Sequence, residues 1–333
     1  MRILVTGGAG YVGSASVEAL LAAGHDVSVL DDLSTGHADA VPNAARLEVW
    51  TYADEAELVE LIDAGRIEAI LHCAARSLVG ESARDPARYY RENVAGGIDL
   101  LEAARQVGVG RLVFSSTAAV YGIPDTTPID EDAPLRPINT YGETKRTFEA
   151  ALGAYGPAYG LRSVSLRYFN VAGATGRNGE DHDPETHLIP NLLRAADGTG
   201  EPVTIFGDDY PTPDGTCIRD YIHVSDLADA HLLALEATAP GDDRTSAPLA
   251  INLGTGGGFS VREVLAAAES VVGRPIPHAI GERRTGDPPI LVASSARADE
   301  ILGWRAQRSS LEEMITSAWE WRQRNPEGYA ESD

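Results

Sequence analysis

A glycine-rich turn between the first strand pattern and the first helix pattern constrains the fold of this chain more than any other feature. Residues 2–6 form a short apolar run, and residues 14–23 repeat apolar side chains at helical spacing. Gly7, Gly10 and Gly13 lie in the turn that separates them. Glycines let a backbone bend tightly and approach a pyrophosphate, and a helix N-terminus adds free N–H groups and a positive dipole end. The turn therefore predicts a strand–turn–helix unit that binds a dinucleotide.

The same two patterns alternate through the first half of the chain. Apolar strand patterns and helical patterns follow one another at residues 26–30, 55–62, 69–74, 90–107, 111–116, 141–155 and 162–168. This alternation predicts an α/β fold, a Rossmann-type doubly wound parallel sheet with helices on both faces. Beyond residue 169 the pattern loosens, which predicts a smaller C-terminal α/β domain. We expect domains at 1–169 and 170–333, with a segment around 218–250 returning to the first.

A carboxylate follows the second strand pattern, where it bears on the choice of dinucleotide. Asp31 ends that pattern, and residues 32–34 include no arginine. A carboxylate there can accept hydrogen bonds from ribose hydroxyls and would repel a 2′-phosphate. The predicted cofactor is therefore NAD rather than NADP.

The chain has a single lysine, Lys145, four positions after Tyr141, among 27 lysines and arginines in 333 residues. Residues i and i+4 share a helix face, so both side chains can point into one cavity. A nearby ammonium favours the phenolate and lowers the pKa of a tyrosine. The spacing predicts Tyr141 as a general base and Lys145 as the cation that activates it.

Composition excludes several other functions. A net charge of −23 would repel nucleic acid and anionic membrane surfaces. Two cysteines, Cys73 and Cys217, make no disulfide framework. No apolar run approaches the ~20 residues that span a bilayer, so we expect a cytoplasmic protein.

Together, the glycine turn and the YGETK stretch at 141–145 resemble the extended branch of the short-chain dehydrogenase/reductase superfamily, whose members modify nucleotide sugars. The resemblance implies that Thr117 contacts the 4-hydroxyl of the sugar beside Tyr141. Dehydratases of the superfamily place an Asp–Glu pair after this threonine, and decarboxylases keep a glutamate there, but this chain has Ala118 and Ala119. Because alanine does no acid–base chemistry, transient oxidation at C4 is the reaction that remains.

Four further stretches, at 167–174, 206–212, 215–223 and 283–287, are similar to the family of UDP-galactose 4-epimerases. This similarity implies NAD-dependent inversion of C4 of a UDP-hexose through a 4-keto intermediate, most simply between UDP-glucose and UDP-galactose. It assigns Arg219 and Arg284 to the diphosphate, Asp287 to ribose hydroxyls and Phe206 to the uracil. The implied substrate-binding residues are Thr117, Tyr141, Asn170, His187, Leu188, Thr204, Phe206, Arg219, Arg284 and Asp287.

The resemblance also implies which residues bind NAD, with two departures from the family pattern. They are Gly7, Gly10, Tyr11, Val12, Gly13, Asp31, Thr51, Ala74, Ala75, Arg76, Asn93, Ser115, Tyr141, Lys145 and Tyr168. The aspartate that contacts adenine in relatives is missing, and Thr51 is a weaker candidate for that contact. Arg76 stands near the place of a lysine and would supply any phosphate charge there. A homodimer is implied, pairing through the helices that begin near Tyr90 and Tyr141 in a four-helix bundle.

Alternatives remain open at this point. A UDP-glucuronate 4-epimerase would need a cation for the sugar carboxylate, which Arg177 or Arg194 could supply. A non-catalytic NAD-binding regulatory protein and a net reductase are further options, and Leu291 leaves the fit of N-acetylated sugars undecided.

The segment 181–187 resembles a metal site in composition, with Asp181, His182, Asp183, Glu185 and His187. It lacks helical or CxxC-type spacing. We therefore predict a solvated loop and no metal.

Overall fold

The computed structural model describes residues 1–52, 54–284 and 286–329. Its first half alternates strands and helices in short units. In chain order these elements are β1 (Arg2–Thr6), α1 (Tyr11–Ala22), β2 (Asp26–Asp31), β3 (Arg46–Val49), α2 (Glu55–Ala64), β4 (Ala69–His72), α3 (Val79–Arg84), α4 (Pro86–Tyr89), α5 (Gly96–Val107), β5 (Arg111–Ser115), α6 (Thr140–Tyr159) and β6 (Arg162–Tyr168).

The second half has shorter strands and longer connections. Its elements are β7 (Asn170–Ala172), α7 (Leu188–Asp197), β8 (Val203–Phe206), β9 (Ile218–Arg219), β10 (Tyr221–His223), α8 (Val224–Ala237), β11 (Leu249–Leu253), β12 (Phe259–Ser260), α9 (Val261–Val272), β13 (His278–Gly281), β14 (Ile290–Leu291) and α10 (Leu311–Arg324).

Seven parallel strands form the main sheet in the order β11-β6-β5-β4-β1-β2-β3. The chain runs outward from β1 to β3 and then returns to β4 on the other side of β1. The predicted Rossmann-type parallel sheet is therefore confirmed. Ligands of such sheets bind at the carboxyl ends of the strands, next to the place where the strand order reverses. The turns after β1, β4, β5 and β6 all meet at this edge.

The centre of the sheet is buried on both faces, which explains why strands such as β1 and β4 carry consecutive apolar residues. Along β1, Ile3 and Val5 pack into one core with α8, while Leu4 packs into the other with α2, α5 and α6. Burying each such side chain contributes about 1.5–3 kcal/mol. Glycines end several helices in the left-handed conformation, including Gly108 after α5 with φ of 87°. Because apolar side chains pack on both of its faces, the sheet holds the turns at its carboxyl edge in place.

A separate core lies in the second half of the chain, between α7, α9, α10 and the short strands. β7 pairs with β10, β8 with β13, and β9 lies between β12 and β14. Two elements of this half join the first sheet instead: α8 packs into its core, and β11 is its edge strand. The domain boundary at 169/170 stays a prediction. Among the described residues, no helix has the length and apolar character to cross a membrane.

Candidate active site

The glycine turn after β1 has two glycines that packing requires and one that leaves open space. A Cβ on Gly7, whose φ is 71°, would lie 2.5 Å from the backbone nitrogen of Ala74. A Cβ on Gly13 would lie 2.0 Å from the carbonyl oxygen of Gly7, but a Cβ on Gly10 would meet nothing closer than 3.5 Å. Gly10 caps α1 without a side-chain hydrogen bond. The first-turn N–H groups of α1 therefore remain available, which fits the pyrophosphate of a dinucleotide.

Asp31 holds the glycine turn as well as facing the cofactor edge. Its carboxylate accepts hydrogen bonds from the backbone N–H of Ala9 at 2.9 Å and of Leu33 at 3.0 Å. Burial raises the pKa of Asp31, and these two hydrogen bonds oppose the rise. A carboxylate with two oxygens has further acceptor positions for ribose hydroxyls.

Tyr11 and Val12 were predicted to bind the cofactor, and their side chains point elsewhere. The Tyr11 hydroxyl donates to the carbonyl of Gly173 at 2.6 Å, and its ring is buried between α1 and the second half of the chain. Val12 packs against the apolar cores beside α1. A contact of either residue with a phosphate would run through its backbone N–H.

The turn after β4 is held by Asn93. Its amide accepts from the N–H of Arg76 at 2.8 Å and donates to the carbonyl of Arg76 and the hydroxyl of Thr144. Asn93 is buried, so this amide positions the backbone around Ala74 and Ala75, next to Gly7.

Arg76 and Thr51 are the two predicted cofactor residues at which the chain departs from the family pattern. The guanidinium of Arg76 pairs with Glu92 and lies 3.7 Å from Asp32. Its charge is therefore offset by carboxylates in this structure, and its contact with a cofactor phosphate stays a prediction. Thr51 is exposed just after β3, so its contact with adenine stays a prediction.

Three predicted catalytic residues meet at the carboxyl end of β5. Thr117 lies two residues after the strand, and its hydroxyl accepts from the N–H of Ala119 at 3.2 Å. Tyr141 lies in the first turn of α6, and Lys145 lies one turn further along the same helix. The Lys145 ammonium donates to the carbonyl of Ser115 at 2.8 Å and lies 5.9 Å from the centre of the Tyr141 ring. The helix thus presents phenol and ammonium to the same edge of the sheet.

The predicted lowering of the tyrosine pKa is wrong for this structure. Burial raises the pKa of Tyr141, and a hydrogen bond with the Thr117 hydroxyl only partly opposes the rise. Burial also lowers the pKa of Lys145 to about 8. The lysine donates to Ser115 rather than to the phenol, so the desolvation of the phenolate outweighs its influence.

A buried ion pair behind Lys145 escaped the sequence analysis. Glu149 pairs with Arg167 at 2.5 Å and accepts from the Ser116 hydroxyl at 2.5 Å. Glu149 lies four residues after Lys145 and eight after Tyr141, so the spacing on one helix face was the available indication. The pair fixes the middle of α6 against β5 and β6.

Ser115 and Tyr168 were predicted to bind the cofactor, and both lie on the sheet side of this site. The Ser115 hydroxyl contacts Cys73 Sγ at 3.1 Å and His231 Nε2 at 2.8 Å, so its carbonyl is the group that holds Lys145. Burial raises the pKa of Tyr168 well above its ordinary value, and burial lowers the pKa of His231 to about 4.

The predicted substrate residues of the second half are paired with one another or with backbone. Asn170 donates to the carbonyl of Asp220 at 3.1 Å. The guanidinium of Arg219 forms an ion pair with Asp287 and donates to its neighbour Ile218. The two residues assigned to diphosphate and ribose therefore neutralise each other in this structure.

A second predicted pair lies nearby on the strand β8 and the segment after β13. The guanidinium of Arg284 lies over the Phe206 ring, 4.0 Å from its centre. Phe206 is 38% exposed, and Thr204, two residues earlier on the same face of β8, is exposed as well. An exposed ring with a cation above it is a surface on which a planar base can stack.

The predicted solvated loop at 181–187 is only partly solvated: Asp183, Thr186 and His187 are exposed, but the carboxylates beside them are not. The side chains of Glu180 and Glu185 are only 8% and 1% exposed. His187 Nδ1 lies 2.7 Å from Glu180 and 2.9 Å from Glu185. Burial opposes protonation, but the carboxylates outweigh it and raise the pKa of His187 to about 11 and that of His182 to about 9. The predicted substrate residues His187 and Leu188 thus begin α7 beside a packed cluster of charges.

Comparison with known proteins places the chain. Residues 3–254 match the model of the NAD dependent epimerase/dehydratase family, and the chain belongs to this family. The predicted dependence on NAD and the predicted superfamily are both confirmed by this membership.

Relatives cover nearly the full length of the chain. A UDP-glucose 4-epimerase of Corynebacterium glutamicum is 50% identical, over 96% of this chain and 95% of its own length. A crystal structure of a UDP-glucose 4-epimerase superposes with a TM-score of 0.96 at 47% identity, covering 99% of this chain and 100% of that one. The Bifidobacterium longum UDP-glucose 4-epimerase, in complex with NAD+ and UDP, superposes with a TM-score of 0.93 at 35% identity, over 99% and 100% of the two chains.

Proposed function

We propose that this protein inverts C4 of a UDP-hexose through a transient 4-keto sugar, interconverting UDP-glucose and UDP-galactose with NAD as its cofactor. The observation that carries the proposal is the meeting of Thr117, Tyr141 and Lys145 at the carboxyl end of β5. This site lies along the sheet edge from the glycine turn after β1. Relatives named as UDP-glucose 4-epimerases, at about half identity over almost the whole chain, support the same reaction.

The side chains have distinct roles in the proposed reaction. When bound, NAD supplies the hydride acceptor and donor, and its cationic ring adds the positive charge that the raised pKa of Tyr141 requires. The Tyr141 oxygen takes the proton of the C4 hydroxyl. It returns the proton after the 4-keto sugar has rotated and presents the opposite face of C4. Thr117 bonds the same sugar oxygen. Because the pKa of Lys145 is lowered only to about 8, its ammonium is mostly charged at pH 7 and favours the phenolate.

A neutral hexose is favoured over a hexuronate by the partners of the two arginines considered for the sugar carboxylate. Arg177 donates to the carbonyls of Asp39 and Val41. Arg194 lies 3.6 Å from the carboxylate of Asp181. Both guanidinium groups are thus already engaged, and using either on a substrate would break these contacts.

The test is turnover of UDP-galactose and UDP-glucuronate in separate reactions, followed by chromatography of the nucleotide sugars and by NADH absorbance. We expect UDP-galactose and UDP-glucose to reach equilibrium from either side without stoichiometric NADH change. Turnover of UDP-glucuronate alone would replace the proposed substrate. NADH consumed one-for-one with product would indicate a net reductase, and NAD binding without turnover would indicate a regulatory protein.

We further infer a homodimer that pairs through α5, α6 and the turn before α5. Tyr90, at the start of that turn, is 43% exposed, and Tyr159, at the end of α6, is 59% exposed. Exposed aromatic side chains are enriched at protein interfaces. Light scattering after size exclusion should give twice the mass of the chain, and replacing Tyr90 with glutamate should shift it toward the monomer.

A further inference from the structure

A compact cluster of two histidines and two glutamates lies at the start of α7. We call it the His–Glu cluster; it consists of Glu180, His182, Glu185 and His187. Each residue offers one nitrogen or oxygen atom, and these four atoms lie within 4.8 Å of one another. Two imidazole nitrogens with two carboxylate oxygens match the ligands and the coordination number that Zn²⁺ takes in proteins. Mg²⁺ and Ca²⁺ prefer oxygen ligands alone, so the two imidazoles disfavour them.

The spacing of the four atoms agrees with one ion between them. Tetrahedral bonds of about 2.0–2.1 Å place neighbouring ligand atoms about 3.3 Å apart. The Nδ1 atom of His187 lies 2.7 Å from Oε1 of Glu180. Its 2.9 Å contact with Glu185 is to Oε1, the oxygen of that carboxylate that also accepts from backbone N–H groups. The Nδ1 atom of His182 lies 3.4 Å from Glu180 and 3.8 Å from Glu185. The three separations that join the two Nδ1 atoms, Glu180 Oε1 and Glu185 Oε2 are 2.7, 3.4 and 3.8 Å, and each lies within about 0.7 Å of the tetrahedral value.

Two polar atoms of the cluster are buried without a hydrogen bond, and they face each other. Within the described part of the chain, His182 Nδ1 and Glu185 Oε2 have no hydrogen-bond partner. The Glu185 side chain is 1% exposed, and its Oε2 points at His182 Nδ1 across 3.8 Å. This distance is too long for a hydrogen bond, but it suits two ligands of one metal ion. Buried polar atoms without partners cost stability unless a ligand satisfies them.

Surrounding contacts hold the ligands in place. The other oxygen of Glu185 accepts from the backbone N–H groups of Thr186 and His187, both at 2.7 Å. The Tyr11 ring meets the His182 ring edge-on at 6.5 Å between centres. Such second contacts orient the ligands of a metal and strengthen its binding.

We infer that the His–Glu cluster is a structural binding site for one divalent transition metal ion of the Zn²⁺ type. The ion would tie the loop 180–187 to the start of α7 and, through Tyr11 against His182, to the helix that follows the glycine turn. This inference does not depend on the reaction that the enzyme catalyses.

The test uses the full chain, freed of any affinity tag and stripped with a chelator, and titrates it with Zn²⁺ and Co²⁺. We expect one equivalent of Zn²⁺ per chain, a Co²⁺ spectrum typical of a four-coordinate site, and a higher melting temperature with metal. His182→Gln and Glu185→Gln should each weaken Zn²⁺ binding by more than about tenfold. The matched control is His278→Gln, because His278 is exposed on β13 and far along the chain from the cluster.

Equal Zn²⁺ affinity in wild type, His182→Gln and Glu185→Gln would overturn the inference, since the ion would then bind elsewhere. If either variant fails to fold by circular dichroism, X-ray absorption of the wild-type Zn²⁺ complex decides. Two imidazoles with oxygen ligands at about 2.0–2.1 Å support the site, whereas six oxygen ligands contradict it.

Discussion

The two sides of the proposed active site are built in different ways. At the edge of the main sheet, positions are set by backbone: a Cβ on Gly13 would strike the carbonyl of Gly7, and Lys145 is held by the carbonyl of Ser115. On the far side, side chains are satisfied by each other, with Arg219 paired to Asp287. Arg284 likewise lies over the exposed ring of Phe206.

This difference predicts where each kind of change will act. Groups held by backbone are in place before the substrate arrives, so they contribute fully to the transition state. An arginine that leaves a carboxylate to bind a diphosphate gains only the difference between two ion pairs. We therefore expect changes at the sheet edge to affect turnover and folding strongly. Changes on the far side should have smaller effects, mainly on KM.

The largest effect is expected from Tyr141→Phe, which removes the phenol and leaves the ring. Proton transfer by a positioned side chain contributes about 10²–10⁴-fold, so kcat should fall by that factor. NAD binding should persist, because the glycine turn is untouched. Tyr159→Phe is the control, since Tyr159 is on the same helix but 59% exposed at its far end. Steady-state kinetics on UDP-galactose measure both variants, and wild-type kcat in Tyr141→Phe would remove this tyrosine from the mechanism.

A paired substitution separates folding from cofactor binding within the glycine turn. Gly13→Ala places a Cβ 2.0 Å from the Gly7 carbonyl and 2.8 Å from Gly8, both backbone, and should cost about 3 kcal/mol of unfolding free energy. Gly10→Ala has 3.5 Å to its nearest atom and should unfold like the wild type. Its NAD affinity should nevertheless fall, because the added methyl stands where a pyrophosphate would approach.

Urea unfolding and NAD fluorescence titration check this pair. Equal loss of stability in Gly13→Ala and Gly10→Ala would show that the turn has no room for a side chain at Gly10 either. Unchanged NAD affinity in Gly10→Ala would move the pyrophosphate away from the start of α1.

Backbone-determined features of this kind are also the ones that the sequence predicted. The strand–helix alternation located the main sheet because its central strands, such as β1 and β4, are buried on both faces and carry consecutive apolar residues. The glycine turn was predictable because a side chain at Gly7 or Gly13 would collide with nearby backbone atoms. Thr117 and the Tyr141–Lys145 pair came together because Thr117 follows the carboxyl end of β5 and the helix α6 that follows carries the pair on one face.

Predictions failed where the answer depended on side chains from separate segments. The role of Arg76 at a cofactor phosphate stays a prediction, and local spacing gave no sign that Glu92, 16 residues away, pairs with it. Tyr141 was expected to be acidic, and its pKa is raised because burial outweighs a lysine that bonds elsewhere. The loop 180–187 was expected to be solvated, because no local pattern indicates that Glu185 becomes buried. Local spacing holds no information about such long-range partners.

A smaller effect is expected from the pH dependence of stability on the sheet side. His231 lies beneath Ser115, and burial lowers its pKa to about 4, below the ~6.5 of an unfolded histidine. The unfolded chain therefore binds a proton more tightly, so stability is complete above pH 6.5 and is lost as the pH falls toward 4. Between pH 7 and pH 5 this one histidine should cost about 2 kcal/mol.

Urea unfolding of His231→Gln at pH 7 and pH 5 isolates the contribution of this histidine to the pH dependence of the unfolding free energy. The variant should lose about 2 kcal/mol less than wild type on going from pH 7 to pH 5, even if it starts lower. His278→Gln, at an exposed position, should lose as much as wild type. An identical pH dependence in His231→Gln would mean that folding does not lower the pKa of this histidine.

The smallest effect is expected on the far side, where two adjacent arginines form a matched pair. Arg284 lies 4.0 Å from the centre of the Phe206 ring, and Arg283 lies 4.3 Å from that of Tyr210. Both residues are exposed, but only Arg284 is assigned to the diphosphate. Arg284→Met should raise the KM for UDP-galactose about tenfold with little change in kcat. One charge-assisted contact with the diphosphate is lost, but its net contribution is reduced because Arg284 must leave the Phe206 ring to make it. Arg283→Met, which loses an ion pair with Asp209, should keep wild-type KM. Equal rises in both variants would mean that the diphosphate responds to the general positive charge of this surface, and the assignment of Arg284 would fail.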